Sequence, residues 1–323
     1  MRKFVFFSFK LIAKIMKLVL PPLLSRLLAR PLTSGSRKTG GFSVPAEYWS
    51  AHLVPYEDWS TAAESLDYFH WRNAQYPGYI DLMPVNGARE LTVVDYGCGP
   101  GNDLVGFYEF SKPARLIGLD VSEQALAVAK DRLKLHGCKA DLHVIDDELN
   151  KIPLEDESVD LIHSSGVLHH VRNLGLAFEE IKRVMKVGGR LQVMVYNYDS
   201  LWLHLYTAFV HQIEMGLYDD LTLLEAFQRT TDGPDCPVSN CYRPKHFVEL
   251  VSSFGMHGYF KGSAISLLEL ELLSKRLEAI RSRQLAREHR DFLSSLTFDP
   301  NGHPVFNGHV AGVPACYEFI KKY

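Results

Sequence analysis

The run Val93-Val94-Asp95-Tyr96-Gly97-Cys98-Gly99-Pro100-Gly101 constrains the fold of this chain more than any other stretch. Branched apolar residues ending in an acid mark the end of a buried strand, and glycines then follow at every second position. Glycine admits positive φ and lets backbone approach a bound group where a Cβ would collide. An open α/β sheet presents such loops to its ligands at the carboxyl ends of its strands. The dinucleotide fingerprint G-x-G-x-x-G needs a third glycine at position 102, where this chain has Asn102. An acid at position 95 would also face the pyrophosphate. The spacing therefore speaks against a nicotinamide-dependent oxidoreductase.

Strands and helices alternate around this run. Strands are expected at Leu91–Asp95, Arg115–Asp120, Leu142–Ile145, Val159–Ser164 and Arg190–Tyr196. Helices are expected at Asp103–Phe110, at Ser122–His136 with Ser122 as N-cap, and at Leu174–Met185, stopped by Gly188-Gly189. This order implies βαβ units in a doubly wound, mainly parallel α/β sheet. Past Tyr196 the alternation lapses. Asp199–Leu224 is aromatic and apolar, Thr230–Arg243 is a turn-rich loop, and Pro244–Phe254 is a helix. One long helix is expected over Ser266–Arg290. The last strand, Ala315–Lys322, closes an antiparallel C-terminal edge through a hairpin.

The net charge of −3 hides an asymmetry: residues 1–40 hold nine basic residues and no acid, leaving −12 on the remainder. A mildly acidic body argues against nucleic acid as a partner. Five unevenly spaced cysteines make no disulfide framework and point to a reducing, cytoplasmic setting. Cys236-x4-Cys241 with His246 is too sparse for a zinc site, so no metal is expected. Within residues 1–32, Lys3, Lys10, Lys14 and Lys17 share one helical stripe beside Phe4, Phe6, Leu11 and Ile15. Pro21-Pro22 ends the run before it reaches the roughly 18–20 apolar residues a spanning helix needs. A basic amphipathic helix of this kind suits peripheral contact with an anionic membrane. Packing on the body and an organellar transit role are the alternatives. Residues 33–44 form a linker. Residues 45–323 form the globular domain, with a core at 88–197, a substrate-capping insert at 198–243 and C-terminal helices and edge strands at 244–323.

Asp95-x-Gly97-x-Gly99-x-Gly101 after an apolar strand resembles the first motif of class I S-adenosylmethionine-dependent methyltransferases. The likeness continues in order. Leu116–Ser122 resembles the family's second strand, Val144–Glu148 its third-strand turn, and Val159–His170 its fourth-strand motif. Glu180–Arg190 resembles its "L-x-P-G-G" turn, with Val187 in place of proline. The resemblance covers residues 91–196 and implies a seven-stranded Rossmann-like methyltransferase fold with S-adenosylmethionine as cofactor. The cofactor residues it implies are Asp95, Gly97, Cys98, Gly99, Gly101, Asp120, Val121, Asp147, Glu148 and Ser164. Asp120 would accept from the ribose hydroxyls. Asp147 would accept from the adenine amine, with Asp146 as the alternative, because this turn is one residue longer than usual.

Arg72 has two readings, a fork for the donor's carboxylate or a surface ion pair. His169, His170 and Tyr196 stand where a base beside the methyl acceptor would be, although a histidine opening a helix often only bonds nearby backbone. The expected function is methyl transfer to a small-molecule acceptor. Trp202, Tyr206, Phe209, Tyr218 and Phe227 of the insert favour an apolar, aromatic or lipid-linked one. A non-catalytic, membrane-associated cofactor-binding module is the rival reading.

Overall fold

The computed structural model describes residues 44–53 and 58–322. The expected segment 1–32 and nearly all of the linker 33–44 lie outside them. Two short helices, α1 (Pro45–Ala51) and α2 (Ala62–Ala74), and a single turn, α3 (Tyr79–Leu82), precede the sheet. Then come β1 (Thr92–Tyr96), α4 (Asn102–Phe110), β2 (Arg115–Asp120), α5 (Glu123–Leu135), β3 (Asp141–Val144) and β4 (Val159–Ser165). A single turn at Leu168–His170 leads into α6 (Leu174–Val184) and β5 (Met185–Asn197). The Ser122 hydroxyl accepts the Ala125 N–H at 3.1 Å and opens α5, as a cap should.

The pairs among β3, β2, β1, β4 and β5 are parallel. A two-residue strand, β6 (Cys241–Tyr242), pairs with the end of β5. Farther along the chain come β7 (Met256–Ser263) and β11 (Pro314–Lys321), and β11 runs antiparallel to both β5 and β7. The strand order is β3-β2-β1-β4-β5-β11-β7, seven strands in line with the short β6 beside β5 as the eighth, a mainly parallel sheet with an antiparallel edge. Parallel strands covered on both faces need nearly continuous apolar sequence. Val93, Val94, Ile117, Leu119, Leu161 and Ile162 supply it and are almost fully buried. The strand order reverses between β1 and β4, the crevice where open sheets hold ligands.

Three expectations are corrected. Gly188-Gly189 does not stop a helix. The α6 helix ends at Val184, and the glycines lie inside β5, where the register with β4 jumps from Val159↔Met185 to Leu161↔Arg190. Gly188, at φ 77°, serves the bulge that takes up the extra residues. Residues 266–290 are not one helix. They divide into α10 (Leu267–Leu272), a tight turn at Leu273–Lys275 and α11 (Arg276–Arg281), and α12 (Arg287–Ser295) starts afresh after residues 282–286. The apolar period lapses through the polar run Ser282-Arg283-Gln284 before the buried Leu285, so the chain bends there to wrap a second core. β7 and β11 are not a hairpin either. Residues 264–313 separate them and carry α10–α12 and a small antiparallel sheet, β8 (Thr297–Phe298), β9 (Pro304–Phe306) and β10 (His309–Val310).

The insert forms α7 (Trp202–Glu214), wound with the wider i→i+5 turn, and α8 (Leu223–Thr231), and α9 (Pro244–Ser253) follows β6. The second core packs α7 against α10–α12 through Leu201, Leu205, Phe209, Ile265, Phe292 and Leu293. Among the described residues no helix is long and apolar enough to cross a membrane.

Candidate functional site

A cleft opens at the carboxyl ends of β1, β2 and β4. Its floor is the loop after β1, its far wall Asp120, Val121 and Asp147, and its near wall Ser165, Gly166 and Val167. Pro45, Trp49 and Leu53 from around α1 and His170 and Arg172 complete the rim.

The loop is shaped for close approach. Gly97 stands at φ 79°, and a Cβ there would overlap the Val167 side chain. Gly99 stands at φ 51°, and its missing Cβ would point into open space, so this backbone faces whatever fills the cleft. Gly101 does something else: it precedes α4, and a Cβ there would lie 3.1 Å from Ala129 Cβ on α5. Its smallness lets helices pack and does not line the cleft.

Asp120 ends β2 inside the cleft. Its Oδ2 accepts the Gly99 N–H at 2.8 Å and its Oδ1 the Ser122 N–H at 2.9 Å. Burial raises its pKa, and these amide bonds oppose the rise. A carboxylate offers about four acceptor sites, so capacity remains for neutral hydroxyls. On the next turn the two aspartates part company. Asp146 Oδ1 accepts the Glu148 and Leu149 N–H groups at 2.9 and 2.7 Å, so it caps the turn. Asp147 lines the cleft and pairs with Arg172 at 3.0 Å. Glu148 is exposed and borders no part of the cleft. Ser164 is also off the wall: its hydroxyl is buried without a hydrogen-bond partner among the described residues, and Ser165 lines the cleft instead. Successive strand residues face opposite sides, so a one-residue error in parity picks the wrong serine.

A narrower crevice shares Gly97, Gly99, Pro100 and Ser165 with the cleft and is bordered by Asp95, Cys98, Arg72 and Asp103. Cys98 packs among the core residues Val93 and Leu104. Arg72 makes an ion pair, set in the crevice with its side chain 24% exposed. Its guanidinium donates to Asp103 Oδ1 at 3.1 Å and to Ser165 Oγ at 3.4 Å, and lies over the Tyr79 ring. His163 Nε2 stands 3.4 Å from Asp103 Oδ2. Burial works against the Asp103 carboxylate, but Arg72 and His163 hold its pKa well below the usual range. For His163, burial pulls the pKa down, and the hydrogen bond and charge of Asp103 raise it on balance. Asp95, the most buried acid here, is pushed up to about 7 by that burial, with the nearby His163 opposing. Asp103 was missed from the sequence, and the only signal for it was an acid in the first turn of the helix after the loop.

The expected bases are drawn together but not presented as free bases. His169 is fully buried, borders neither cavity, and has no hydrogen-bond partner for either ring nitrogen among the described residues. Its ring lies against Tyr196 with centroids 3.8 Å apart and planes tilted by 35°, and burial drives its pKa well down. Tyr196 donates its hydroxyl to Asp232 Oδ1 at 2.9 Å, and burial carries its pKa well above the ordinary phenol value. His170 reaches the cleft beside Trp49, with its Nδ1–H given to the Val238 carbonyl at 2.7 Å. Asp232, which joins Tyr196 and His170, lies in the stretch that the sequence marks only as a turn-rich loop. The insert's aromatic residues are corrected too. Tyr206 and Phe209 belong to the second core, Trp202 packs against it, and Phe227 is fully buried beside Leu203 and Val313. None of them lines the cleft.

Residues 88–216 match the family model described as a methyltransferase domain. The chain is similar to an uncharacterized protein of Methanocaldococcus jannaschii, 33% identical over 42% of this chain and 61% of that one. It is similar to a malonyl-[acyl-carrier protein] O-methyltransferase of Legionella pneumophila, 30% identical over 33% of this chain and 37% of that one. A demethylmenaquinone methyltransferase of Leptospira interrogans is 28% identical over 46% of this chain and 62% of its own length. The chain spans less than two thirds of each of these relatives.

Proposed function

We propose that this protein, whose residues 88–216 match a family model described as a methyltransferase domain, transfers the methyl group of S-adenosylmethionine to a small-molecule acceptor with an apolar, aromatic or lipid-linked body. The observation that carries this reading is the open face of Gly99 beside the Asp120 carboxylate, with Asp147 on the next strand's turn. A bare backbone floor and two acids spaced along one wall fit a nucleoside with hydroxyls to donate. Val121 and Ile145 supply apolar wall for a ring between them.

When bound, S-adenosylmethionine supplies a methyl group on a sulfonium, which a nucleophile takes by direct displacement. The chain's own contribution is to orient and to exclude water. In this reading Asp120 and Asp147 hold the nucleoside, and Arg72 at the crevice marks the end that takes a carboxylate. Trp49, Leu53, Val167 and Val171 keep the acceptor's side of the cleft dry. Tyr196 and His170 have their protons committed to Asp232 and Val238. The reading therefore favours an acceptor atom that is ionised, or readily ionised, before it arrives. Relatives named for a malonyl group on a carrier protein and for demethylmenaquinone support an acceptor of this sort.

Titration calorimetry with S-adenosylmethionine and with NAD tests the cofactor, and binding of NAD alone overturns it. Mass spectrometry of a metabolite and lipid extract incubated with enzyme and labelled S-adenosylmethionine tests the transfer. A labelled product with an apolar body is expected. Tight cofactor binding with no labelled product in any fraction would make the chain a binding module.

A further inference from the structure

Three side chains from two distant segments converge behind the cleft rim. His170 comes from the turn before α6, and Asp232 and Cys236 come from the stretch after α8. One ligand atom from each, a ring nitrogen, a carboxylate oxygen and a thiol sulfur, all lie within 4.8 Å of one another. His170 and Cys236 are buried, and the Asp232 side chain is 9% exposed.

The hydrogen bonds fix which atoms face inward. His170 gives its Nδ1–H to the Val238 carbonyl, so in the neutral ring Nε2 is the lone-pair nitrogen. That nitrogen stands 3.6 Å from Asp232 Oδ1. Two acceptors in a buried place face each other, and a cation or a proton must lie between them. Cys236 Sγ lies within 4.8 Å of a His170 ring nitrogen and an Asp232 carboxylate oxygen, and it donates to the same Val238 carbonyl at 3.3 Å.

We propose that His170 Nε2, Asp232 Oδ1 and Cys236 Sγ form a binding site for a divalent cation of the zinc class. Nitrogen, oxygen and sulfur donors together suit a borderline-soft ion. Bonds of about 2.0–2.3 Å around a tetrahedral ion put its ligands about 3.3–3.7 Å apart. The histidine and aspartate already stand at that spacing, and no pair has to close by more than about 1.3 Å. The outer contacts are those of a held site. Val238 holds the far ring nitrogen, and Tyr196 and Ser239 donate to Asp232 Oδ1 and Oδ2 at 2.9 Å each. On binding, the Cys236 S–H bond breaks, its proton passes to water and the thiolate pair goes to the ion, with no change of oxidation state. The pairing of Cys236 with Cys241 considered from the sequence led away from this site, because its partners are Asp232, four residues upstream, and a histidine from another segment. Three protein ligands leave a fourth position open.

The full-length protein, dialysed with zinc and then against buffer, should retain one zinc per chain. Cobalt(II) in its place should give a thiolate-to-metal absorption band in the near ultraviolet. Cys236→Ser should abolish that band and weaken zinc binding at least tenfold, and Cys241→Ser should leave both unchanged. X-ray absorption at the zinc edge of the unmutated protein, which needs no variant to fold, should report one sulfur ligand with the remainder nitrogen or oxygen. Absence of zinc and of the cobalt band, a band that survives Cys236→Ser, or a zinc shell with no sulfur or several sulfurs each overturns the proposal.

Discussion

The main-chain N–H of Gly99 donates to Asp120 Oδ2 at 2.8 Å, so the glycine loop after β1 and the end of β2 hold each other in place. The same carboxylate takes the Ser122 N–H at the start of α5. Its position is therefore set before any ligand arrives, and its remaining acceptor sites face the cleft.

Asp120→Ala is expected to weaken S-adenosylmethionine binding by about 1–3 kcal/mol, roughly 5- to 150-fold in Kd. The loss joins two ligand hydrogen bonds to a loop that has lost its tether. Titration calorimetry measures it, with circular dichroism to check the fold. Unchanged affinity in a folded variant would remove Asp120 from the ribose assignment.

Gly99→Val should abolish measurable cofactor binding, since a branched side chain would enter the cleft from a backbone at positive φ. The strain alone costs about 1–2 kcal/mol, so Gly137→Val is the comparison. Gly137 also has positive φ (67°) and open space around it, and it does not line the cleft. Both variants should lose similar thermal stability, and Gly99→Val alone should lose the cofactor. Equal binding by the two would show that the loop does not face the donor.

His169 should set part of the acid limb of stability. In the unfolded chain a histidine titrates near pH 6.5, but burial drives the folded His169 pKa well below that. Below about pH 6.5 the unfolded state binds more protons, so stability falls as pH falls and is level above. His169→Phe keeps the ring against Tyr196 and removes the titration. Urea midpoints between pH 7.5 and 5 should decline less steeply in the variant, with cofactor affinity unchanged. A matching slope would mean that His169 titrates in the fold as it does in the unfolded chain.

The basic segment 1–32 is expected to bring the protein to anionic membrane. Each lysine near such a surface contributes about 1 kcal/mol, screened within a Debye length. Co-sedimentation with anionic vesicles should fall as salt rises, be weak with neutral vesicles, and vanish for a chain starting at Gly41 that still binds S-adenosylmethionine. If the full chain stays in the supernatant at low salt, the segment does not act on membranes. Resistance to an alkaline carbonate wash would point to a spanning segment.

Much of the frame is legible locally. The apolar strand, shifted by one residue so that Asp95 is its last but one, the alternate glycines, the Ser122 cap and the run Arg115–Asp120 each depend on neighbours a few residues away. Side-chain type and short periods carry that information, because strand, turn and cap are settled by local sterics and hydrogen bonds.

What only the tertiary structure decided is which member of an adjacent pair faces the cleft, and what meets across long separations. Asp146 and Asp147 are the same residue type, and the turn's own amides claim the first and leave the second to the wall. Ser164 and Ser165 differ only in strand parity, which the register of β4 against its neighbours fixes. Tyr206 and Phe209 look in sequence like the lining of an acceptor pocket, but the bends in residues 266–295 give them a second core to fill. Asp232 meets Tyr196 and His170 because the chain folds back after α8. Such choices depend on register and packing between segments far apart in the chain, and no local pattern encodes them.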